Sequence, residues 1–205
     1  MYYYVARQPI LDQHLNTYAY ELLFRDSLNN VFPSISSQQA TSQLIIEQFR
    51  KQNIDQLLEG KPCFVNFPYS LLLAGLAESL PQEKVVIEIL EDVPPDDILL
   101  SKVQQLHQLG YRLALDDFTM STEWERFLPF IHIIKFDLRA TPLDQITHFI
   151  KQHKAFNLMY LAEKVEDEAE FERAKRLGIH LFQGFFFSYP EMVKQNAILP
   201  QASSE

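Results

Sequence analysis

Residues 112–118 read RLALDDF, a short apolar run that closes on two adjacent carboxylates, Asp116 and Asp117. An apolar run of this length, bounded by polar residues, predicts a buried β-strand. Two neighbouring acids at its end repel each other and lose hydration unless a cation lies near them. The stretch therefore predicts a strand that carries negative charge to a place where something positive is bound.

Similar runs recur along the chain and alternate with segments of helical spacing. The strand-like runs cover 3–7, 18–24, 62–67, 85–90, 112–118, 131–137, 157–163 and 180–187. Apolar residues three and four apart predict helices over 40–58, 96–109, 143–153 and 167–177, whereas the segment after Asp117 is the least helical. Strands and helices that alternate in this way predict an α/β fold, specifically a closed (β/α)8 TIM-like barrel.

The first two strand-like runs are joined by ILDQHLNT (10–17), which is too short to contain a crossover helix. We therefore expect this pair to be antiparallel, which gives the barrel one reversed strand near its N-terminus. A doubly wound open sheet is the alternative, although no Gly-rich phosphate loop follows the first strand. We expect residues 1–205 to form a single barrel domain, with 198–205 as a tail or the start of a linker.

The overall charge and apolar content exclude several classes of function. The net charge is −9 without a cluster of basic residues, which disfavours non-specific binding to DNA or to an anionic membrane. No apolar run is long enough to span a membrane, and the N-terminus lacks the pattern of a signal peptide. We therefore expect a cytoplasmic protein. The single cysteine, Cys63, lies in an apolar run and is predicted to be a core residue.

Polar side chains recur toward the ends of the apolar runs. They are Glu21, Asn66, Glu88, Asp116, Asp117, Lys135, Asp137, Glu163 and Gln183. Each alone has an ordinary explanation, such as a helix cap or an ion pair. Because the carboxyl ends of barrel strands face one common mouth, we expect these side chains to converge there.

This set of residue types predicts a site for divalent cations. Carboxylate and amide oxygens suit Mg²⁺ or Mn²⁺, and the 6 histidines show no spacing typical of zinc ligands. Adjacent aspartates can bridge or flank a pair of metal ions, and a lysine beside them can orient an attacking water. The combination predicts metal-assisted hydrolysis, with a phosphoester as the expected substrate.

The same residues stand in motifs that resemble the EAL domain, the cyclic di-GMP phosphodiesterase module of bacterial signalling. In chain order, the matching segments are YELLFR (20–25), FVNF (64–67), EILE (88–91), LDDF (115–118), IKFD (134–137), AEKVE (162–166) and FQGFFFSYP (182–190). They cover nearly the whole chain in the family's order. Several of them are closest in character to the branch in which the EAL domain precedes a helical HDOD domain.

The resemblance implies a role for each matching residue. Glu21, Asn66, Glu88 and Asp116 would hold one divalent ion, and Asp117 would hold a second ion with Asp116 shared. Lys135 would position the attacking water, and Glu163 would assist that water or the second metal. Arg25 would contact a phosphate, Gln183 would help to complete the site, and Glu91 would tether the loop after the aspartates. The implied reaction opens cyclic di-GMP to linear pGpG with Mg²⁺ or Mn²⁺, and Ca²⁺ is expected to inhibit it.

One segment departs from the family pattern. The sequence DDFTMSTEW (116–124) has Thr119 where the family usually has a glycine, in a loop that arranges the second metal and couples to dimerisation. Many members of the HDOD branch are thought to be inactive. The alternative is therefore a degenerate EAL domain that acts as a cyclic di-GMP receptor or as a protein-interaction module. The implied partners are cyclic di-GMP and either a second copy of the chain or a C-terminal HDOD domain outside this chain.

Overall fold

Strands close into a barrel in the computed structural model, which describes residues 4–25 and 54–194. Within these ranges the strands are β1 Tyr4–Asp12, β2 Thr17–Arg25, β3 Cys63–Phe67, β4 Val85–Ile89, β5 Arg112–Leu115, β6 Ile133–Asp137, β7 Met159–Glu163, β8 Leu181–Phe182 and β9 Glu191–Lys194. Strands β2 to β8 pair in sequence order and are parallel. Strand β1 lies antiparallel between β8 and β2 and closes the ring.

This closure confirms the predicted barrel with one reversed strand, and the alternative of an open doubly wound sheet is wrong. The prediction of the eighth strand, 180–187, is too long, because β8 ends at Phe182 and a turn follows it. The first strand is longer than its predicted range of 3–7. Strand β9, which the sequence did not predict, pairs with the first half of β1.

Pro9 lies inside β1 without interrupting the barrel. On one edge, β1 pairs with β9 through Tyr4–Arg7 and with β8 through Leu11 and Asp12. Pro9 falls between these two stretches and is opposite Tyr20 of β2, whose N–H is directed to Pro62. No neighbouring strand therefore requires the N–H that proline lacks.

Helices cover the outside of the barrel. In the described residues the α-helices are α1 Ile54–Leu57, α2 Tyr69–Leu73, α3 Asp97–Gln108, α4 Leu143–Gln152 and α5 Glu168–Arg176, and a short 3₁₀ helix spans Ala77–Ser79. The predicted ranges of α3, α4 and α5 are confirmed to within two residues at each end. Helix α3 begins where the carboxylate of Asp96 accepts a hydrogen bond from the N–H of Leu99 at 2.7 Å. Most of the predicted helix 40–58 lies outside the described residues.

The weakly helical segment after Asp117 forms a 3₁₀ helix, Thr122–Phe130. It contains Pro129, which removes a backbone donor and is poorly compatible with an α-helical interior. Trp124 and Phe127 are buried on its inner side. None of the helices in the described part of the chain combines the length and apolar character needed to cross a bilayer.

The barrel interior is filled by one apolar side chain from each of its strands. These residues are Ile10, Ala19, Phe64, Val86, Ala114, Ile133, Leu161 and Leu181, and each is at most 1% exposed. A larger apolar cluster lies between the strands and the outer helices, and it includes Cys63, as predicted. The interior residues, called the apolar floor below, set the level at which the functional side chains begin.

Candidate active site

A ring of polar side chains lies directly above the apolar floor. Each ring member on a parallel strand is two residues further along the chain than the floor residue of that strand, and on the reversed strand β1 it is two residues earlier. The ring consists of Gln8, Glu21, Asn66, Glu88, Asp116, Lys135, Glu163 and Gln183. Side chains two residues apart on a strand point to the same face. Apolar packing at the floor therefore directs the whole ring into the barrel mouth.

Lys135 lies at the centre of this polar ring and is fully buried. Its Nζ is 2.7 Å from Asp116 Oδ1, 3.0 Å from Glu163 Oε1 and 4.0 Å from Glu21 Oε1. It also forms an ion pair with Glu88. Burial opposes the charge on Lys135, but the combined field of these carboxylates raises its pKa well above the ordinary value. The side chain is therefore an ammonium held by ion pairs with these carboxylates.

The ring holds more negative than positive charge. Burial raises the pKa of Glu88 well above its ordinary value; Lys135 opposes this shift, and Glu21 and Asp116 reinforce it. Burial likewise raises the pKa of Glu163 to about 8, with the same opposition from Lys135. One ammonium thus leaves part of the charge on these carboxylates uncompensated. A further cation would let them ionise together.

Glu21 is held in place by two amide groups of the ring. Gln183 donates from Nε2 to Glu21 Oε2 at 2.7 Å, and Asn66 donates from Nδ2 to Glu21 Oε1 at 3.3 Å. The same Gln183 amide donates to Gln8 Oε1 at 3.1 Å, and Gln8 donates to the carbonyl of Ser188 at 3.0 Å. Gln8 was not among the positions predicted from the sequence. Its signal was present, because on a reversed strand the ring residue precedes the floor residue.

Asp117 stands outside the ring and faces its edge. Oxygens of Asp116, Asp117 and Glu163 lie within 4.8 Å of one another and form a candidate cation site. Burial and the neighbouring Asp116 raise the pKa of Asp117, while Lys164 opposes the shift. The Lys164 ammonium is 3.9 Å from Asp117 Oδ2 and 2.5 Å from Asp137 Oδ2. The sequence predicts Asp137 in the barrel mouth without a specific role, and it gives no indication of the contact that Lys164 makes.

Several buried oxygens of this group have no hydrogen-bond partner among the described residues, although Glu88 and Asp116 keep their ion pairs with Lys135. They are Asn66 Oδ1, both oxygens of Glu88, Asp116 Oδ1, Asp117 Oδ1, Glu163 Oε2 and Gln183 Oε1. Buried acceptors without a donor are rare in folded proteins and indicate an ion or a water. All of these atoms are hard oxygen ligands of the kind that Mg²⁺, Mn²⁺ and Ca²⁺ prefer. The residues therefore fit one or more divalent cations.

Comparison with known proteins identifies the family. The family model described as EAL domain matches residues 5–190. The chain belongs to the EAL domain family. It is 45% identical over 201 residues to the cyclic di-GMP phosphodiesterase CdgJ of Vibrio cholerae, which covers 97% of this chain and 46% of that relative. The chain spans about half the length of the curated relatives that it matches.

Solved structures of EAL proteins have the same fold. The PaMucR phosphodiesterase in complex with c-di-GMP superposes with a TM-score of 0.75 at 21% identity, covering 92% of this chain and 96% of that one. The calcium and cyclic di-GMP complex of BlrP1 from Klebsiella pneumoniae gives a TM-score of 0.73 at 19% identity, covering 94% of this chain and 57% of that one.

Three other predicted positions of this EAL domain lie at or beyond the rim. Arg25 ends β2, but its side chain lies outside the described part, so its phosphate contact stays a prediction. Glu91 is exposed and lines a small pocket with Asp117 and Thr119, although it makes no hydrogen bond to that loop among the described residues. Its tethering role also stays a prediction.

The positive φ angles of this loop fall on Asp117 (39°) and Met120 (60°), and Thr119 does not need the conformation that favours glycine.

Proposed function

We propose that this EAL domain hydrolyses cyclic di-GMP to linear pGpG. The observation that carries the proposal is the ring of buried acids at the mouth of a barrel of this family, where the single ammonium of Lys135 faces several carboxylates. The name of the relative at 45% identity, a cyclic di-GMP phosphodiesterase, supports the same substrate. A barrel mouth is also the place where enzymes of this architecture bind their substrates.

We assign the metal ligands by their position in the ring. Glu21, Asn66, Glu88 and Asp116 would hold a first Mg²⁺ or Mn²⁺ ion, and Asp117 with the shared Asp116 would hold a second, next to Glu163. The ions, when bound, supply an activated water and neutralise charge on the phosphate. The neighbour solved as a complex with calcium and cyclic di-GMP supports the use of a divalent ion. For this chain we expect Ca²⁺ to permit binding and to inhibit turnover.

The chain's own residues orient the water and the ligands. Lys135, held as an ammonium, donates a hydrogen bond to the attacking water and keeps it at the centre of the ring. Glu163 assists, because its Oε2 has no donor and is available to accept a proton of that water. Gln183 fixes the rotamer of Glu21 through their 2.7 Å hydrogen bond. Arg25 is expected to bind a phosphate.

The test is hydrolysis of cyclic di-GMP with Mg²⁺ or Mn²⁺, followed by chromatographic separation of pGpG. Glu88→Gln keeps the shape of a fully buried ring member and removes its charge, so we expect a loss of activity of about 100-fold or more. Asp55→Asn is the matched control, because Asp55 pairs with Lys84 at the opposite end of the barrel. Intact substrate after incubation with concentrated wild-type protein and either ion would contradict the proposal.

A cyclic di-GMP receptor is the second candidate, and Lys164 is the observation that favours it. Its ammonium lies beside Asp117, where a second ion would have to bind. Calorimetric titration with cyclic di-GMP in Ca²⁺ distinguishes the two functions: binding without hydrolysis in Mg²⁺ or Mn²⁺ identifies a receptor. Absence of both would favour an interaction module, with a second copy or an HDOD domain as its partner. The cytoplasmic location stays a prediction.

A further inference from the structure

Lys164 places a positive charge beside the acids that would hold the second divalent ion. Its Nζ lies 3.9 Å from Asp117 Oδ2 and 2.5 Å from Asp137 Oδ2. Asp117 belongs to the candidate cation site formed with Asp116 and Glu163. The Lys164 side chain is 52% exposed, so its stem reaches to the acids from the rim of the mouth and not from within the polar ring.

The backbone fixes this arrangement on both sides of the lysine. Lys164 has a φ of 57°, a left-handed conformation that is uncommon for a residue with a side chain. It follows Glu163, the last residue of β7, and precedes Val165, whose N–H donates to the carbonyl of Gln183 at 3.1 Å. The turn therefore holds the Lys164 side chain on the side of Asp117 and Asp137.

Asp137 anchors the Lys164 ammonium next to the candidate cation site. It is paired in register with Glu163 on the neighbouring strand, and its Oδ1 accepts a hydrogen bond from the N–H of Arg139 at 2.7 Å. With one oxygen held by the backbone, Asp137 presents Oδ2 to Lys164. The lysine is thus tethered at a short distance from Asp117 without being bonded to it.

We propose that Lys164 is a tethered cation that weakens binding of the second divalent ion at Asp117. The inference rests on the proposed function, because it uses the same assignment of metal ligands. An ion bound by Asp116, Asp117 and Glu163 would lie within a few ångströms of the ammonium and be repelled by it. Lys164 thereby sets the divalent-ion concentration at which the second position fills, while the first position, inside the ring, is unaffected. It acts on the ion by charge repulsion, and we assign it no catalytic role.

Titration with Mn²⁺ alone tests the proposal, by calorimetry and by the electron paramagnetic resonance signal of free Mn²⁺. Lys164→Asn removes the charge and keeps a residue that tolerates the left-handed conformation, whereas Lys164→Arg keeps the charge. We expect Lys164→Asn to tighten the weaker ion about two- to fivefold, the range expected for a partly exposed charge. Lys164→Arg should resemble wild type. The difference should shrink as NaCl is added, because salt screens the repulsion.

Two further variants locate the effect. Lys154→Asn removes the same charge from an exposed lysine that follows α4, at the other end of the barrel, and should leave both ions unchanged. Asp117→Asn should remove the weaker ion, and adding Lys164→Asn to it should then change nothing. The proposal is overturned if Lys164→Asn binds the second ion no more tightly than wild type. It is also overturned if Lys164→Arg and Lys164→Asn bind that ion with the same affinity. If wild type binds a single Mn²⁺ ion in this titration, binding of a second ion by Lys164→Asn supports the proposal, and a single ion in both proteins overturns it.

The outcomes separate this inference from the proposed function. If wild type hydrolyses cyclic di-GMP and Lys164→Asn leaves the second ion unchanged, only the role of Lys164 fails. If Lys164→Asn tightens the second ion but no protein hydrolyses the nucleotide, the tethered cation stands and the phosphodiesterase assignment fails. If no variant binds Mn²⁺ at all, both are overturned.

Discussion

The acids of the polar ring converge on the Lys135 ammonium. Removing this charge should therefore lower the stability of the folded protein. Lys135→Met keeps most of the side-chain volume but leaves Glu88, Asp116 and Glu163 without their counter-charge. We expect the free energy of unfolding without metal to fall by about 3–5 kcal/mol, as for other buried ion pairs that lose one partner. Urea denaturation in the presence of a chelator measures it. Lys84→Met, which breaks the exposed pair with Asp55, should cost less than about 1 kcal/mol; equal losses in the two variants would contradict the prediction.

Gln183 donates a hydrogen bond to Glu21 and would act through it on the first metal position that we propose. Gln183→Leu removes the donor that holds Glu21 Oε2 at 2.7 Å and also frees Gln8 Oε1. Loss of such an outer partner of a ligand typically weakens metal binding about 10- to 100-fold, and we expect that loss for the tighter Mn²⁺ ion. Gln145→Leu, an exposed change on α4, is the control. Unchanged affinity in Gln183→Leu would mean that Glu21 keeps its position without this hydrogen bond.

At the scale of strands and helices, the sequence predicted what repeats and missed what is irregular. Floor and ring residues on parallel strands follow one rule, an apolar residue and then a polar one two positions later, so most of the ring could be predicted. Gln8 was not predicted as a ring residue because β1 runs in the opposite direction and continues through Pro9. Proline is accepted there because the N–H that it lacks falls in the gap between β8 and β9, and this gap is visible only in the structure. Lys164 was not predicted because its contact with Asp137 depends on a left-handed backbone conformation, which the spacing of residues in the sequence does not reveal.

The turn after β8 depends on a close approach of two backbone segments. A Cβ on Gly184 would lie 2.2 Å from the carbonyl oxygen and 2.3 Å from the nitrogen of Val165, distances that real Cβ atoms do not tolerate. Gly184→Ala should therefore destabilise the barrel by about 1–3 kcal/mol and displace the neighbouring Gln183. Gly178→Ala is the control for backbone strain alone, because Gly178 has a φ of 93° and no atom lies within 4 Å of the position that a Cβ would take there. Thermal denaturation should show a larger loss at 184 than at 178, and a smaller one would contradict the close approach.

Two histidines connect neighbouring strands and should make stability depend on pH. His132 and His180 each accept a backbone hydrogen bond at Nδ1, from Leu113 at 3.2 Å and from Tyr160 at 3.1 Å. Burial lowers the pKa of both below the ordinary 6.5, and His107 and Arg112 lower that of His132 further. Below about pH 6.5 the unfolded chain binds protons that the folded chain does not, so the free energy of unfolding should fall as pH falls.

Denaturation of wild type and of the double variant His132→Asn, His180→Asn between about pH 5 and 8 isolates this contribution. Asparagine can present an oxygen near the position of Nδ1 without titrating. The difference in unfolding free energy between the two proteins should therefore move in favour of the variant as pH falls. The raised pKa values of Glu88 and Glu163 act in the opposite direction but are common to both proteins. A difference that does not change with pH would show that neither histidine titrates differently on folding.

For the whole molecule, the proposed cation positions at the polar ring would join strands that are distant in sequence. Its acids come from β2, β4, β7 and the end of β5, so an ion that binds the folded barrel must stabilise all of these strands together. A ligand present at about 100 times its dissociation constant adds about 2.7 kcal/mol to the free energy of unfolding. We therefore expect the melting temperature to rise progressively with added Mn²⁺ and to return to its starting value with a chelator. Asp116→Asn should abolish most of this rise, because Asp116 would serve both ions, whereas Asp55→Asn at the other end of the barrel should leave it intact. If the melting temperature of wild type does not change when Mn²⁺ is added, the metal assignment is contradicted, independently of any assay of hydrolysis.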